Sequence, residues 1–370
     1  MPTSSDRFSD IRPYNDDEIQ PAIRRVINSD EFIDAIISFR FSKIAKFSGF
    51  LLKPLLRRYF MYKWGAINSI DEMQQIVGGY MQHMIDSTTT KFTYSGLENL
   101  DANKNYLFVS NHRDIAMDPS FVNWALFSEN FKTVRIAIGD NLLSKPFTSD
   151  LMRMNKSFIV KRALKAPREM MKAVLQLSDY IFSSLQSDSS IWIAQREGRA
   201  KDGFDKTEPA LIKMFYMQGK KQKIAFSDYI KQLNIVPVAV SYEFDACDQQ
   251  KAKELYDKAQ TGEYKKSEFE DIESIVRGIV GKKGHVHVAF GRPLEGDFED
   301  AEQVANAIDQ QIYKNYYLHP SNYIAAKQQL QAISEADKNA FASRLDNMPA
   351  ALQETVLKMY ANPVNNSIKQ

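Results

Sequence analysis

Between Lys91 and Pro293 the chain switches repeatedly between two hydrophobic periods, and this alternation restricts the fold more than any other feature. Short runs rich in β-branched and aromatic residues occur at 92–94, 106–109, 134–138, 158–160, 191–194, 235–241 and 286–290. Each is too short for a stable helix and has the composition of a strand. Helical spacing fills the intervals at 119–127, 146–154, 167–185 and 208–217. The pattern predicts an α/β fold, a central mostly β-sheet core flanked by helices, with helical N-terminal and C-terminal extensions. The expected organisation is a basic amphipathic helical region over 1–90, an α/β domain over 91–294 and a helical extension over 295–370. Residues 251–279, with Lys and Glu interleaved, read as solvated helix outside the main sheet. Pro237, inside an otherwise apolar run, predicts an edge strand or a bulge.

At 370 residues, with 44% hydrophobic and 25% charged side chains, the chain can bury a large core. Cys247 is the only cysteine, which rules out an intramolecular disulfide and fits a reducing compartment. The first thirty residues carry Asp6, Asp10, Asp16, Asp17 and Glu18 without a long apolar stretch, so neither a signal nor a transit peptide is expected. No window is apolar enough to span a bilayer. The expected location is cytoplasmic, peripherally associated with the cytoplasmic face of the membrane. Membrane contact is suggested by residues 36–63, which hold seven basic residues and no acidic one. On a helical wheel Arg40, Lys43, Lys46, Lys53, Arg57 and Arg58 gather in an arc of about 140° opposite an apolar face. That layout suits an anionic membrane surface, and an ordinary packed helix with a wet basic side is the plainer alternative. Gly49 and Pro54 predict two helical pieces with a bend. Aliphatic residues between the cations argue against nucleic-acid binding.

The segment Asn111-His112-Arg113-Asp114-Ile115-Ala116-Met117-Asp118-Pro119 places a histidine and a carboxylate where an apolar run meets a helix start, read as an N-cap at Asp118. Histidine suits proton transfer near neutral pH, and a carboxylate beside it fixes the tautomer and stabilises the imidazolium. Asp118, or else Asp114, is the candidate partner for His112, among backbone N–H groups that favour developing negative charge. No glycine-framed serine accompanies the pair, so a base acting on a bound hydroxyl fits better than a serine nucleophile. Five scattered histidines and one cysteine give no metal-ligand spacing. His285 and His287 alternate on a strand and read as a solvated face rather than as ligands.

Three further segments follow in order: Ser157-Phe158-Ile159-Val160-Lys161-Arg162, Ile191-Trp192-Ile193-Ala194-Gln195-Arg196-Glu197-Gly198-Arg199, and Ile235-Val236-Pro237-Val238-Ala239-Val240-Ser241-Tyr242. With the first block they resemble the glycerolipid acyltransferase superfamily, which includes glycerol-3-phosphate and lysophosphatidate acyltransferases. The likeness covers about residues 91–294. It departs from the family pattern in two places. Five residues instead of four separate His112 from Asp118, and no small residue stands between Gly198 and Arg199.

The resemblance implies transfer of a fatty acyl group from an acyl thioester to the hydroxyl of a glycerol phosphate or lysophospholipid, foremost 1-acylglycerol-3-phosphate. His112 would be the base and Asp118 its orienting partner, with Arg162, Glu197, Gly198 and Arg199 lining the acceptor site. Asn111, Arg113, Asp114, Lys161, Lys201 and Pro237 are further candidates. No permanently bound cofactor is implied; an acyl-CoA or acyl-carrier-protein thioester is the co-substrate. The alternatives are a glycerol-3-phosphate or dihydroxyacetone-phosphate acyltransferase, a non-catalytic lipid-binding protein at the membrane, and a thioesterase.

Overall fold

The computed structural model describes residues 6–40, 45–143, 145–187, 189–267, 270–328 and 333–368. The side chains of 39–40 and 45–51 lie outside the description. In chain order the elements are α1 (Asp16–Asn28), α2 (Asp30–Arg40), α3 (Ala45–Trp64), α4 (Ile70–Thr88), β1 (Thr89–Ser95), β2 (Leu107–Ser110), α5 (Met117–Ser128), β3 (Arg135–Gly139), α6 (Pro146–Met154), β4 (Ser157–Val160) and α7 (Pro167–Ser187). There follow β5 (Ile191–Ala194), α8 (Pro209–Gln222), α9 (Phe226–Gln232), β6 (Ile235–Tyr242), α10 (Asp248–Thr261), α11 (Glu270–Val280), β7 (Gly284–Phe290), α12 (Ala301–Asn315), α13 (Pro320–Ala325), α14 (Glu335–Asp346) and α15 (Ala350–Ile368). The fold is mixed α/β, and each expected strand is present. Two compact units form: Met1–Tyr80 with Arg135–Tyr180, and Met81–Val134 with Ile181–Gln370.

In the first unit β3 and β4 pair in parallel, Ile136 opposite Ser157. The apolar stripe of α1, Ile19, Ile23, Val26 and Ile27, packs with Phe32, Ile33 and Ile37 of α2 and Phe60 of α3. The two helical pieces expected around Gly49 and Pro54 are one helix, since α3 runs unbroken from Ala45 to Trp64. Proline removes one backbone donor, but Leu52, Leu56, Phe60 and Trp64, four residues apart, pack against the α1–α2 core and hold the helix. The basic face is also partly spent inside the unit. Lys53 pairs with Asp34 at 2.8 Å and Asp30 at 3.4 Å, and Arg57 pairs with Asp30 at 2.9 Å. Arg58 is exposed, as are Leu55 (64%), Tyr59 (49%) and Tyr62 (82%). Lys43 and the side chains of Arg40 and Lys46 lie outside the described residues.

In the second unit the strands lie in the order β1-β7-β6-β2-β5. Neighbours are parallel except β6 and β7. All residues of β2 and β6 are buried, which explains why these strands read as continuous apolar runs and not as alternating ones. Ser110 aligns with Ala194 of β5 and Val238 of β6, so the first, third and fourth blocks lie side by side.

Pro237 does not mark an edge, because β6 lies between β7 and β2. Backbone groups of residues 234 and 238 point toward β2, where they accept from Leu107 and Asn111. Those of 235 and 237 point the other way, accepting from Leu294 and Gly291. The missing N–H of Pro237 therefore faces Gly291, just past the end of β7 and outside the residues that β6 pairs with β7.

The charged segment 251–279 is not a single solvated helix. It holds parts of α10 and α11, and Lys251, Ala252 and Glu254 are buried. Ala252 joins a second core with Phe341, Leu352, Val356, Met359 and Tyr360 of the C-terminal helices.

Candidate active site

His112 lies two residues past the end of β2, where a strand end commonly builds a site in a parallel sheet. Its Nδ1 is 2.8 Å from Asp118 Oδ2, and its side chain is 14% exposed while that of Asp118 is fully buried. An ionised carboxylate only accepts, so Nδ1 carries the proton and the lone pair is on Nε2. The edge of the ring meets Trp192 of β5 at 5.7 Å between centroids.

The helix start differs from the expected one. α5 begins at Met117, which puts Asp118 within its first turn and not at its cap. Asp114 takes the capping work, its Oδ1 accepting from Ala116 N at 3.0 Å and Met117 N at 2.9 Å. Asp118 Oδ2 accepts from Arg113 N at 2.6 Å and Asp114 N at 2.9 Å, which folds the five-residue step back onto the imidazole. These loop N–H groups are committed to carboxylates and so do not stand ready for an oxyanion. Burial, with the charge of Asp118 beside it, pushes the Asp114 carboxyl above its usual range. Asp118 Oδ1 accepts from the Tyr242 hydroxyl at 2.6 Å. Burial first and Asp118 second hold that phenol far above its ordinary pKa, so it remains a donor.

Asn111 is buried and bridges the first and fourth blocks. Its Nδ2 donates to Val240 O at 3.0 Å and its Oδ1 accepts from Val240 N at 2.8 Å. Arg113 turns inward to pair with Asp205 at 2.5 Å, its guanidinium 5.5 Å from the centre of the Tyr316 ring. Burial works against its charge, yet Asp205 nearby leaves it more firmly protonated than usual. Lys251 Nζ donates to Arg113 O at 2.6 Å and pairs with Asp245.

The loop after β5 is tied to the same place, Gln195 N donating to Ser110 O at 2.7 Å and Ala200 N to His112 O at 2.8 Å. Within it Gly198 has φ of 74°, a left-handed turn that favours glycine, and Glu197 is exposed. Arg199 is half-buried, with one amine 3.4 Å from Ser274 Oγ of α11. Lys201 is held in an ion pair with Glu254, and burial lowers the pKa of its amine. In the other unit Lys161 pairs with Asp10 at 2.5 Å, and Arg162 N donates to Asp140 Oδ1 at 3.1 Å.

His285 and His287 are not on a simple wet face. Both bond to Thr93 Oγ1 at 2.7 Å, and both rings contact Tyr317. Burial lowers the pKa of His287 to about 4 and that of His319, whose ring meets His285, to about 3. Among the described residues no group of three or more His, Cys, Asp or Glu side chains is arranged to hold a metal ion. Burial pushes the Cys247 thiol up to about 12. Asp205, Trp192, Tyr242 and Lys251 were not legible as site residues, because their partners are distant in sequence and nothing in local spacing marks them.

Residues 91–241 match the family model described as Acyltransferase. No curated protein sequence matches the chain. Among solved structures it is similar to the crystal structure of the 1-acyl-sn-glycerophosphate (LPA) acyltransferase PlsC from Thermotoga maritima. Identity is 12%, coverage is 80% of this chain and 91% of that one, and the TM-score is 0.39.

Proposed function

We propose, from the match of residues 91–241 to the Acyltransferase family model, that the protein is a glycerolipid acyltransferase that moves a fatty acyl group from an acyl-CoA or acyl-carrier-protein thioester to the hydroxyl of a glycerol phosphate or lysophospholipid, foremost 1-acylglycerol-3-phosphate. The observation that carries the reading is the 2.8 Å contact between His112 Nδ1 and Asp118 Oδ2, which leaves Nε2 as a base. Nε2 takes the hydroxyl proton as the oxygen attacks the thioester carbonyl. The tetrahedral intermediate then expels the thiolate, which recovers the proton from the imidazolium. Asp118 stabilises the charged ring in between. No acyl-enzyme is required, because the thioester arrives activated.

Arg199 supplies a guanidinium group suited to the acceptor phosphate by charge and fork geometry, with Glu197 and Gly198 shaping the turn. A lysolipid acceptor is supported by the exposed Leu55, Tyr59 and Tyr62 beside Arg58 on α3, a surface fitted to the interface of an anionic bilayer. No helix among the described residues is long and apolar enough to cross a membrane. The proposed location is the cytoplasmic face, with peripheral attachment.

The test is an acyl-transfer assay with purified protein, palmitoyl-CoA or palmitoyl-carrier protein, and a panel of glycerol 3-phosphate, dihydroxyacetone phosphate, 1-acylglycerol-3-phosphate and lysophosphatidylcholine. The expected result is fastest acylation of 1-acylglycerol-3-phosphate. Faster transfer to glycerol 3-phosphate or dihydroxyacetone phosphate reassigns the acceptor, and acyl release that ignores every acceptor sinks the transferase reading.

A further inference from the structure

Resting on the reading of His112 as the base, we propose that Tyr242 is a positioning residue that anchors Asp118 and moderates that carboxylate's hold on the Nδ1 proton of the imidazole. The argument starts from the long step between His112 and Asp118. Asp118 Oδ2 takes three donors, His112 Nδ1, Arg113 N and Asp114 N, and all three belong to its own loop and move with it. The Tyr242 hydroxyl, 2.6 Å from Oδ1, comes from the last residue of β6, 124 positions away. It ties the carboxylate to the sheet.

Tyr242 is itself fixed on two sides. It aligns with Val286 of β7, and its ring meets Phe121 of α5, the helix that carries Asp118, edge-on at 5.8 Å. The phenol is thus clamped between the sheet and that helix, with its oxygen aimed at one atom.

Donation to Oδ1 also draws charge from the carboxylate and moderates its pull on the Nδ1 proton. Without the hydroxyl, Asp118 would hold the Nδ1 proton more tightly. The charged and titratable groups around this pair are Asp114 and Asp245 toward Tyr242, and Arg113, Asp205 and Tyr316 toward Asp118. Tyr242→Phe leaves each of them in place.

The experiment is the pH dependence of kcat and of kcat/KM for Tyr242→Phe. The expected result is an acid limb displaced upward by about one unit, an alkaline plateau lowered roughly tenfold, and KM values for donor and acceptor within about twofold of wild type. Phe121→Leu removes ring packing but keeps the hydroxyl; it should lower the melting temperature and leave the pH profile in place. If Tyr242→Phe does not fold, fluorotyrosine at position 242, a stronger donor, should displace the acid limb downward. A profile identical to wild type in Tyr242→Phe, or an acid limb displaced downward in that variant, overturns the proposal. Failure of the underlying reading is distinguishable: wild-type protein would then transfer no acyl group, or His112→Ala would transfer it at the wild-type rate.

Discussion

Asn111 and Arg113 flank the proposed base, and both turn inward to hold the loop. Asn111 satisfies both backbone groups of Val240 and reaches Asp205 at 3.3 Å, while Arg113 holds the same Asp205 at 2.5 Å. Asn111→Ala should cost about 2–4 kcal/mol by leaving a buried N–H and C=O unpaired. Arg113→Ala should cost about 3–5 kcal/mol by stranding a buried carboxylate. Because both act on Asp205, the double variant should cost less than the sum. Urea unfolding midpoints check this, and Arg113→Ala at wild-type stability with a raised acceptor KM would instead place Arg113 at the phosphate. At this scale the residue types of the His112–Asp118 pair were legible in the sequence. The closure was not, since it depends on two backbone N–H groups drawing Asp118 Oδ2 over the loop.

Strands were the easiest elements to read, because buried parallel strands between helices leave short apolar runs with sharp ends. Pro237 misled for a stereochemical reason: what matters in an inner strand is which neighbour the missing N–H would face, and here it faces Gly291, outside the residues that β6 pairs with β7. The basic stretch around α3 was only partly legible. A helical wheel shows which residues share a side, but not that α2 brings Asp30 and Asp34 against Lys53 and Arg57. The membrane proposal consequently shifts to Leu55, Arg58, Tyr59 and Tyr62. Replacing Tyr59 and Tyr62 together with serine should weaken co-sedimentation with anionic vesicles several-fold, more than Arg57→Glu does. The reverse order would return the membrane contact to the expected basic arc.

Across the second unit, the C-terminal helices complete the loop that follows β5. Thr207 donates through its N and Oγ1 to Asp309 Oδ1 of α12 at 2.8 and 2.6 Å. Asn362 and Asn366 of α15 donate to Asp202 O at 2.7 Å and Gly203 O at 3.2 Å. Burial pushes the Asp309 carboxyl up to about 6. Such polar ties between distant residues carry no period, so the C-terminal region was legible as helical without showing what it holds. The sheet, these helices and the loops converge on one imidazole at the end of β2. The direct test of that arrangement is the acyl-transfer rate of His112→Ala at saturating donor and acceptor, with its vesicle binding measured alongside. The account predicts a rate lowered by about 10²–10⁴-fold with vesicle binding intact. A His112→Ala rate within a few-fold of wild type would contradict it.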